Sequence, residues 1–287
     1  MKLNGKIDLH MHTTVSDGTD SPQEIIAKVK DAGIVFFSVT DHDAIKGGKI
    51  IPPLLQEGDP QFITGVEFSC KDEEGQYHIL GYNYDPDSTS IQEVVDLGHR
   101  YRMQKLQERL DFLQDEFGFV FPKEELDQLF AMDNPGKPHI GNMMVRCGYA
   151  ETKEKAIKEF INKKRFLDEY VRPEEAIEGI LKAGGVPVLA HPAYGSGDQL
   201  ILGEVMDHRL RKLIGFGLEG IEAFYSGFSE KIHASMMKFA ETYNLYVTAG
   251  SDYHGRNKII SLADNGMDEN EEYPEGMVRF MKRVGII

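Results

Sequence analysis

Seven short apolar runs recur along the chain, each ending in polar residues, with helical patterns between several of them. They cover residues 6–10, 35–40, 61–66, 77–80, 186–190, 220–224 and 245–249. Most are rich in β-branched or aromatic residues, the pattern of buried strands. Ser21-Pro22-Gln23-Glu24 predicts an N-cap, a proline in the first helical turn and a helix to about Lys30, closed by Asp31-Ala32-Gly33. Pro173-Glu174-Glu175 opens another helix, ended by Gly184-Gly185. Strand–helix alternation of this kind predicts an α/β barrel or an open sheet.

One stretch breaks the rhythm. Residues 97–117 are amphipathic, with Leu106, Leu110 and Leu113 on one side, and Asp133-Asn134-Pro135-Gly136 is a turn. Residues 140–147 and 152–163 read as two more helices. The expectation is a helical insertion over 97–172, with 1–96 and 173–287 forming the barrel. Charge separates the two parts. Residues 95–172 carry 14 Lys+Arg and 14 Asp+Glu, whereas the whole chain carries 32 against 47. The entire excess of −15 therefore lies outside the helical stretch. Such a balance excludes a general nucleic-acid coat protein. No apolar run approaches the about 18 residues of a membrane span, and the N-terminus has no leader-like apolar region, so a cytoplasmic protein without a membrane partner is expected. Cys70 and Cys147 fit neither a disulfide framework nor a thiolate zinc site. No obligate protein partner is evident.

The chemistry-bearing residues sit where the apolar runs stop. His10 and His12 in Asp8-Leu9-His10-Met11-His12 are two apart, so a strand presents both imidazoles on one face. Asp17 follows in a Ser-Asp-Gly turn. Thr40-Asp41-His42-Asp43 offers His42 as a ligand with Asp41 as its orienting partner. Glu67 stands among apolar neighbours, where a carboxylate needs a cation. His78 lies inside a strand pattern; His191, Asp252 and His254 follow strands. Singly, each has an ordinary structural explanation. Together they place nine nitrogen and oxygen donors at one barrel mouth, enough for two or three metals. Donors without thiolate suit catalytic metals such as Mn, Fe or Zn.

These residues resemble the polymerase-and-histidinol-phosphatase (PHP) family of metal-dependent phosphoesterases. The motifs Asp8-Leu9-His10-Met11-His12, Thr40-Asp41-His42-Asp43, Gly65-Val66-Glu67, His78, Ala190-His191-Pro192 and Ser251-Asp252-Tyr253-His254 stand in the family's order. The resemblance implies a distorted (β/α)7 barrel. It implies one metal on His10, His12, Glu67 and Asp252, a second on Asp17, His42 and His191 with Glu67 bridging, and a third completed by His78 and His254. The helical stretch is similar to a subgroup that includes nucleoside 3′,5′-bisphosphate phosphatases and 5′→3′ exoribonucleases. By that likeness Arg100, Arg102, Lys137 and His139 would hold a second phosphate. The subgroup has Arg before Pro-His, where this chain has Lys137; a lysine binds phosphate as a point charge without the bidentate fork.

The expected activity is hydrolysis of a phosphomonoester of a small nucleotide, most specifically a nucleoside 3′,5′-bisphosphate, by a metal-bound hydroxide. A 5′→3′ exonuclease on short RNA and a histidinol-phosphate phosphatase are the enzymatic rivals. A non-catalytic metal-binding regulatory module is the rival of another class. Lys163-Lys164-Arg165 reads as solvated, Tyr194-Gly195-Ser196-Gly197 as a rim loop and 269–272 as an acidic turn; His99, His208 and His233 read as structural or surface residues.

Overall fold

The structure, a computed structural model, describes residues 5–166, 168–195, 199–268 and 272–287. The expected rim-loop residues Ser196 and Gly197, and 269–271 of the acidic turn, lie outside the described residues. Chain order begins β1 (Lys6–Asp8), α1 (Pro22–Asp31), β2 (Ile34–Val39), α2 (Lys46–Ile50), β3 (Gln61–Asp72) and β4 (Gly75–Tyr82). The helices α3 (Thr89–Phe117), α4 (Lys123–Phe130), α5 (Lys137–Arg146), α6 (Lys153–Glu159) and α7 (Pro173–Lys182) follow. The chain closes with β5 (Val186–Leu189), α8 (Gly203–Phe216), β6 (Gly220–Tyr225), α9 (Glu230–Thr242), β7 (Tyr246–Gly250) and α10 (Glu275–Arg283). All seven apolar runs are strands. The α1 signature also appears as read: Ser21 accepts from the Glu24 N–H, and the Glu24 carboxylate accepts from the Ser21 N–H.

Each strand pairs with the next in chain order. Past their ends β1 and β7 also meet: Leu9 N–H donates to Ala249 at 2.9 Å, Asp252 N–H to His10 at 2.8 Å, and His12 N–H to Tyr253 at 2.8 Å. These bonds draw the two edges of the sheet together into a barrel. Gly250 permits the approach, since a Cβ there would lie 2.2 Å from that of His10.

The distortion has a definite location. β3 and β4 form an antiparallel hairpin with no helix between them, and β4 also runs antiparallel to β5. The chain therefore leaves β4 at the end opposite the mouth and returns along α3. At about 1.5 Å per residue, the 29 residues of α3 span about 43 Å, long enough to run the barrel's height and overhang its mouth. The helix starts at Thr89, before the expected boundary at 97. Its first half, with Ile91, Val94 and Val95, joins the barrel's core. Its second half, with Leu106, Leu110 and Leu113, joins a separate apolar cluster with Leu129, Ile140, Met143 and Ala156 from α4–α6. Among the described residues no helix is long and apolar enough to cross a membrane.

Ile140 is fully buried in that second cluster. Ile140→Ala is expected to lower stability by about 2–5 kcal/mol through the lost transfer energy and the cavity left behind. Urea unfolding checks this; an unchanged midpoint would show that the cluster collapses around the gap.

Candidate metal centre

The antiparallel hairpin explains why His78 lies inside a strand. In β4 the N-terminal half sits at the barrel mouth, and His78 is opposite Ser69 of β3, two residues beyond Glu67. Glu67 lies within β3, and the remaining donors follow the C-terminal ends of parallel strands: His10, His12 and Asp17 after β1, His42 after β2, His191 after β5, Asp252 and His254 after β7. Two of the donors are held in backbone conformations that L-residues rarely adopt, with φ of 26° at His191 and 58° at Asp252. Strain of this kind persists only where surrounding contacts over-determine it.

Glu67, 1% exposed, is the centre of the cluster. Its Oε2 lies 3.3 Å from His10 Nε2, 3.2 Å from His12 Nε2 and 3.1 Å from His42 Nδ1. Its Oε1 lies 2.7 Å from His78 Nδ1 and 3.1 Å from His191 Nε2. Asp252 Oδ1 lies 3.3 Å from both His12 Nε2 and His254 Nδ1. Asp17 Oδ1 lies 3.2 Å from His254 Nε2 and 4.0 Å from His42 Nε2. All nine expected donors come together; His10, His12, Glu67 and Asp252 group as expected, whereas the other two groups differ. His191 joins His78 at Glu67 Oε1, and His254 joins His12 and His42 around Asp17. The order of motifs along the chain carries no information about which rim positions are neighbours across the barrel.

Metal ions suit these donors on the structure's own terms. His10 Nε2, His12 Nε2, His42 Nδ1 and Asp17 Oδ1 are buried without a hydrogen-bond partner and face the cluster. Buried polar atoms are costly when unsatisfied, and a cation satisfies them together. Burial alone would raise the Glu67 carboxyl's pKa, but His78, His10 and His42 hold it well below the usual range. Asp17 and Asp252 are likewise held low, against their burial, by neighbouring imidazoles and, for Asp252, by Lys258. The carboxylates are thus ionised. His12, despite its burial, is pushed up to about 9 by Asp252 and Glu67. Protons on such imidazoles balance the carboxylates when no metal does, and metal binding releases them.

Supporting residues escaped the sequence reading. Glu222 is fully buried; its Oε1 is 2.9 Å from His10 Nδ1, and its Oε2 accepts the His191 backbone N–H at 2.7 Å. It fixes the His10 ring so that Nε2 faces the centre, the usual task of a carboxylate behind a metal-binding histidine. Tyr225 and Lys258 both donate to Asp252 Oδ2, at 2.8 and 2.5 Å. Glu222 occupies an inward position of a strand read only as apolar, and an acidic residue within such a run was the available signal. Asp41 does not orient His42 as expected. It accepts from Thr13 N–H, Thr13 Oγ1 and Ser16 Oγ and so ties down the loop leading to Asp17.

The cluster opens into a cavity of about 330 Å³ between the barrel mouth and α3–α5. Arg102 lines it but is committed to Asp43, with Nε at 3.1 Å and Nη2 at 2.6 Å. Arg100 is exposed and does not line the cavity. Helical period is the reason: Arg102, Lys105 and Arg109 share one face of α3, and Arg100 projects from another. His139 Nδ1 accepts the Gly136 N–H, which leaves only Nε2 for a ligand. Lys137 lines the cavity and reaches Asn162. Lys105 and Arg109, each 7% exposed, complete a basic wall that the sequence reading missed. Lys105 lies 3.5 Å above the Tyr170 ring, and burial with Arg102 nearby lowers its ammonium to about 7. Burial lowers Lys137 to about 8 and Arg109 to about 10. Of the other two-spaced and basic features, His99 pairs with Asn134, His208 with Glu74 and His233 with the Tyr225 carbonyl.

A barrel whose mouth gathers buried imidazoles and ionised carboxylates around orphaned donor atoms has the form of a metal-dependent hydrolase. The chain belongs to the PHP family: the PHP domain model matches residues 8–172. A 5′-3′ exoribonuclease of Haemophilus influenzae is 27% identical over 92% of this chain and 95% of its own length. A phosphoribosyl 1,2-cyclic phosphate 1,2-diphosphodiesterase of Eggerthella lenta is 28% identical over 87% of this chain and 94% of its own. A 3′,5′-nucleoside bisphosphate phosphatase of Chromobacterium violaceum is 26% identical over 86% of this chain and 87% of its own. Among solved structures, a Bifidobacterium adolescentis protein assigned provisionally to the metal-dependent phosphoesterases superposes with a TM-score of 0.81. It is 25% identical and covers 99% of this chain and 98% of its own.

Two outcomes are expected. Glu222→Gln weakens metal binding about 10- to 100-fold, read by metal titration, because the His10 ring loses its anionic partner. Lys105 gives a pH signature. Its folded pKa lies below the unfolded value of 10.5, so between about 7 and 10.5 the unfolded chain holds a proton that the folded chain lacks, and stability rises with pH. Lys105→Met therefore stabilises the metal- and ligand-free protein below pH 7, with a gain that shrinks toward pH 10.5. Thermal unfolding across that range checks it; a pH-independent difference would refute the burial argument.

Proposed function

We propose that this PHP-family phosphoesterase hydrolyses a phosphomonoester of a small nucleotide, a nucleoside 3′,5′-bisphosphate above all. The observation that carries this reading is the pairing of two unlike walls across one cavity. One wall is the donor cluster around Glu67; the other presents Lys105, Arg109 and Lys137, cations buried at a cost. The nearby carboxylates are engaged, Asp43 with Arg102 and Asp17 with His254. A bisphosphate satisfies both walls at once.

His10, His12, Glu67 and Asp252 would hold one divalent ion, His78, His191 and Glu67 a second, and Asp17, His42 and His254 a third; two or three ions of Mn, Fe or Zn suit such donors. Bound there, divalent ions supply Lewis acidity and bring the pKa of a water ligand from about 15.7 toward 7. The chain's own residues do the rest. Glu222, Tyr225 and Lys258 fix the donor rings and carboxylates before substrate arrives. Lys105, Arg109 and Lys137 grip the phosphate that is not cleaved and so aim the other at the donors. Tyr170 supplies an aromatic face beside them.

A second reading, 5′→3′ exonuclease action on short RNA, is favoured by one feature. A second cavity of about 500 Å³ shares Gln76, Arg109, Lys137 and Tyr170 with the first and adds Lys71, Lys164 and Arg165. Lys164 and Arg165 of the basic run line this second cavity, while Lys163 and Arg165 are exposed as expected. The acidic excess of the barrel counts against long nucleic acids.

The deciding experiment compares adenosine 3′,5′-bisphosphate, 5′-AMP, histidinol phosphate and 5′-phosphorylated RNA with the metal-loaded protein. The bisphosphate is expected to give the highest kcat/KM. Arg109→Ala should raise KM for it about tenfold or more, as loss of a charge-assisted contact requires, while leaving nitrophenyl phosphate turnover nearly unchanged. His42→Ala should abolish turnover of both. No turnover of any of these substrates at full metal occupancy would overturn the proposal.

A further inference from the structure

The donors of the centre are braced from two different places. Glu222 of β6 holds His10 and His191, and Tyr225 of β6 with Lys258 holds Asp252, all from the barrel itself. The group formed by Asp17, His42 and His254 is braced by the helical stretch. Asn134, 2% exposed in the turn before α5, donates its side-chain amide to the His42 carbonyl, and its Oδ1 is 3.2 Å from His99 Nδ1 of α3. Asn257, just after His254, donates to the Asp17 carbonyl at 2.8 Å and pairs through its own N–H with the His254 carbonyl at 3.3 Å. Asn257 is gripped in turn by Asn142 of α5, at 3.3 Å, and by the Lys153 ammonium of α6 on its carbonyl. The turn also lies beside Asp17: a Cβ on Gly136 would be 3.5 Å from Asp17 Oδ2.

We propose that the helical segment 97–172 assembles one metal position, so that the grip of Asn134 and of the residues holding Asn257 sets the affinity for the ion at Asp17, His42 and His254 and leaves the donors braced by Glu222, Tyr225 and Lys258 untouched. This rests on the reading of the cluster as a metal centre. The physical reason is that a ligand set is only as preorganised as the backbone carrying it. His42 and Asp17 sit on loops whose carbonyls are anchored to side chains from the segment or to Asn257, which the segment holds. Asn134 and Asn257 are positioning residues, since they touch the ligands' backbone and not the donor atoms. The segment also walls the cavity beside the cluster, so the same contacts place its basic wall and this metal position together.

The test is the metal content of the full chain, loaded with manganese and passed through gel filtration, together with a manganese titration of the metal-free protein. Asn134→Ala and Asn257→Ala are expected to retain one ion per chain fewer than the wild type, or to bind one class of ion about 10- to 100-fold more weakly. The remaining ions bind with unchanged affinity. Asn162→Ala, in the same segment but against Lys137, keeps the full complement. Should Asn257→Ala fail to fold, Asn142→Ala loosens the same grip from the other side and is read the same way. Equal metal content in wild type and variants, or the same loss in Asn162→Ala, overturns the proposal. A wild type that binds no manganese, iron or zinc overturns the metal reading itself, and the assembly role with it.

Discussion

An ionised carboxylate buried among imidazoles is the constraint on which this structure turns. Glu67 has five histidine rings within 3.3 Å of its two oxygens, and no apolar packing offsets the cost of burying such a group. The surroundings are arranged to make the burial tolerable. Imidazoles surround it, Glu222 and Asp252 brace the imidazoles, and Tyr225 and Lys258 brace Asp252. Each layer satisfies polar atoms the previous one leaves open, and among the donor atoms the inward-facing ones of His10, His12, His42 and Asp17 are left without a hydrogen-bond partner. A site prepared in this way suits cations.

The antiparallel β4 shapes everything beyond the mouth. It brings His78 to the rim from within a strand, and it obliges the chain to return by a long helix. Because α3 outruns the barrel, its second half and the helices after it cover the mouth, and its basic face meets the cavity. The charge pattern follows the same division. The acidic excess belongs to the barrel, while the neutral helical stretch lines the cavity beside the donors with Lys105, Arg109 and Lys137. An acidic protein can in this way hold a phosphorylated ligand locally.

Much of the strand framework was legible because buried strands are short, apolar and β-branched, and because donors at their ends interrupt that pattern abruptly. The nine donors could be read for the same reason: an ionisable residue after an apolar run has few bland explanations when it recurs at run after run. Arg100 was misjudged and Lys105 and Arg109 passed over because sequence proximity to the motif weighed more than helical period. Glu222 was missed because one acidic residue inside Gly220–Tyr225 does not disturb the run's apolar character, although it points inward to the centre. Asp41 was read as a partner of its neighbour His42, but its side chain faces the Thr13–Ser16 loop on the next strand connection.

The sequence by itself determined the strands, most helix positions and the residue types at the barrel mouth, since these follow from local patterning and from spacing within single segments. Only the tertiary structure decided which donors lie together, which cations face the cavity and which side chains brace the centre. Those relations join residues far apart in the chain, as in His10 with Asp252. They depend on strand direction and on how a barrel closes. Spacing along the chain has no means of encoding a neighbour across the barrel, whereas the closed sheet fixes it.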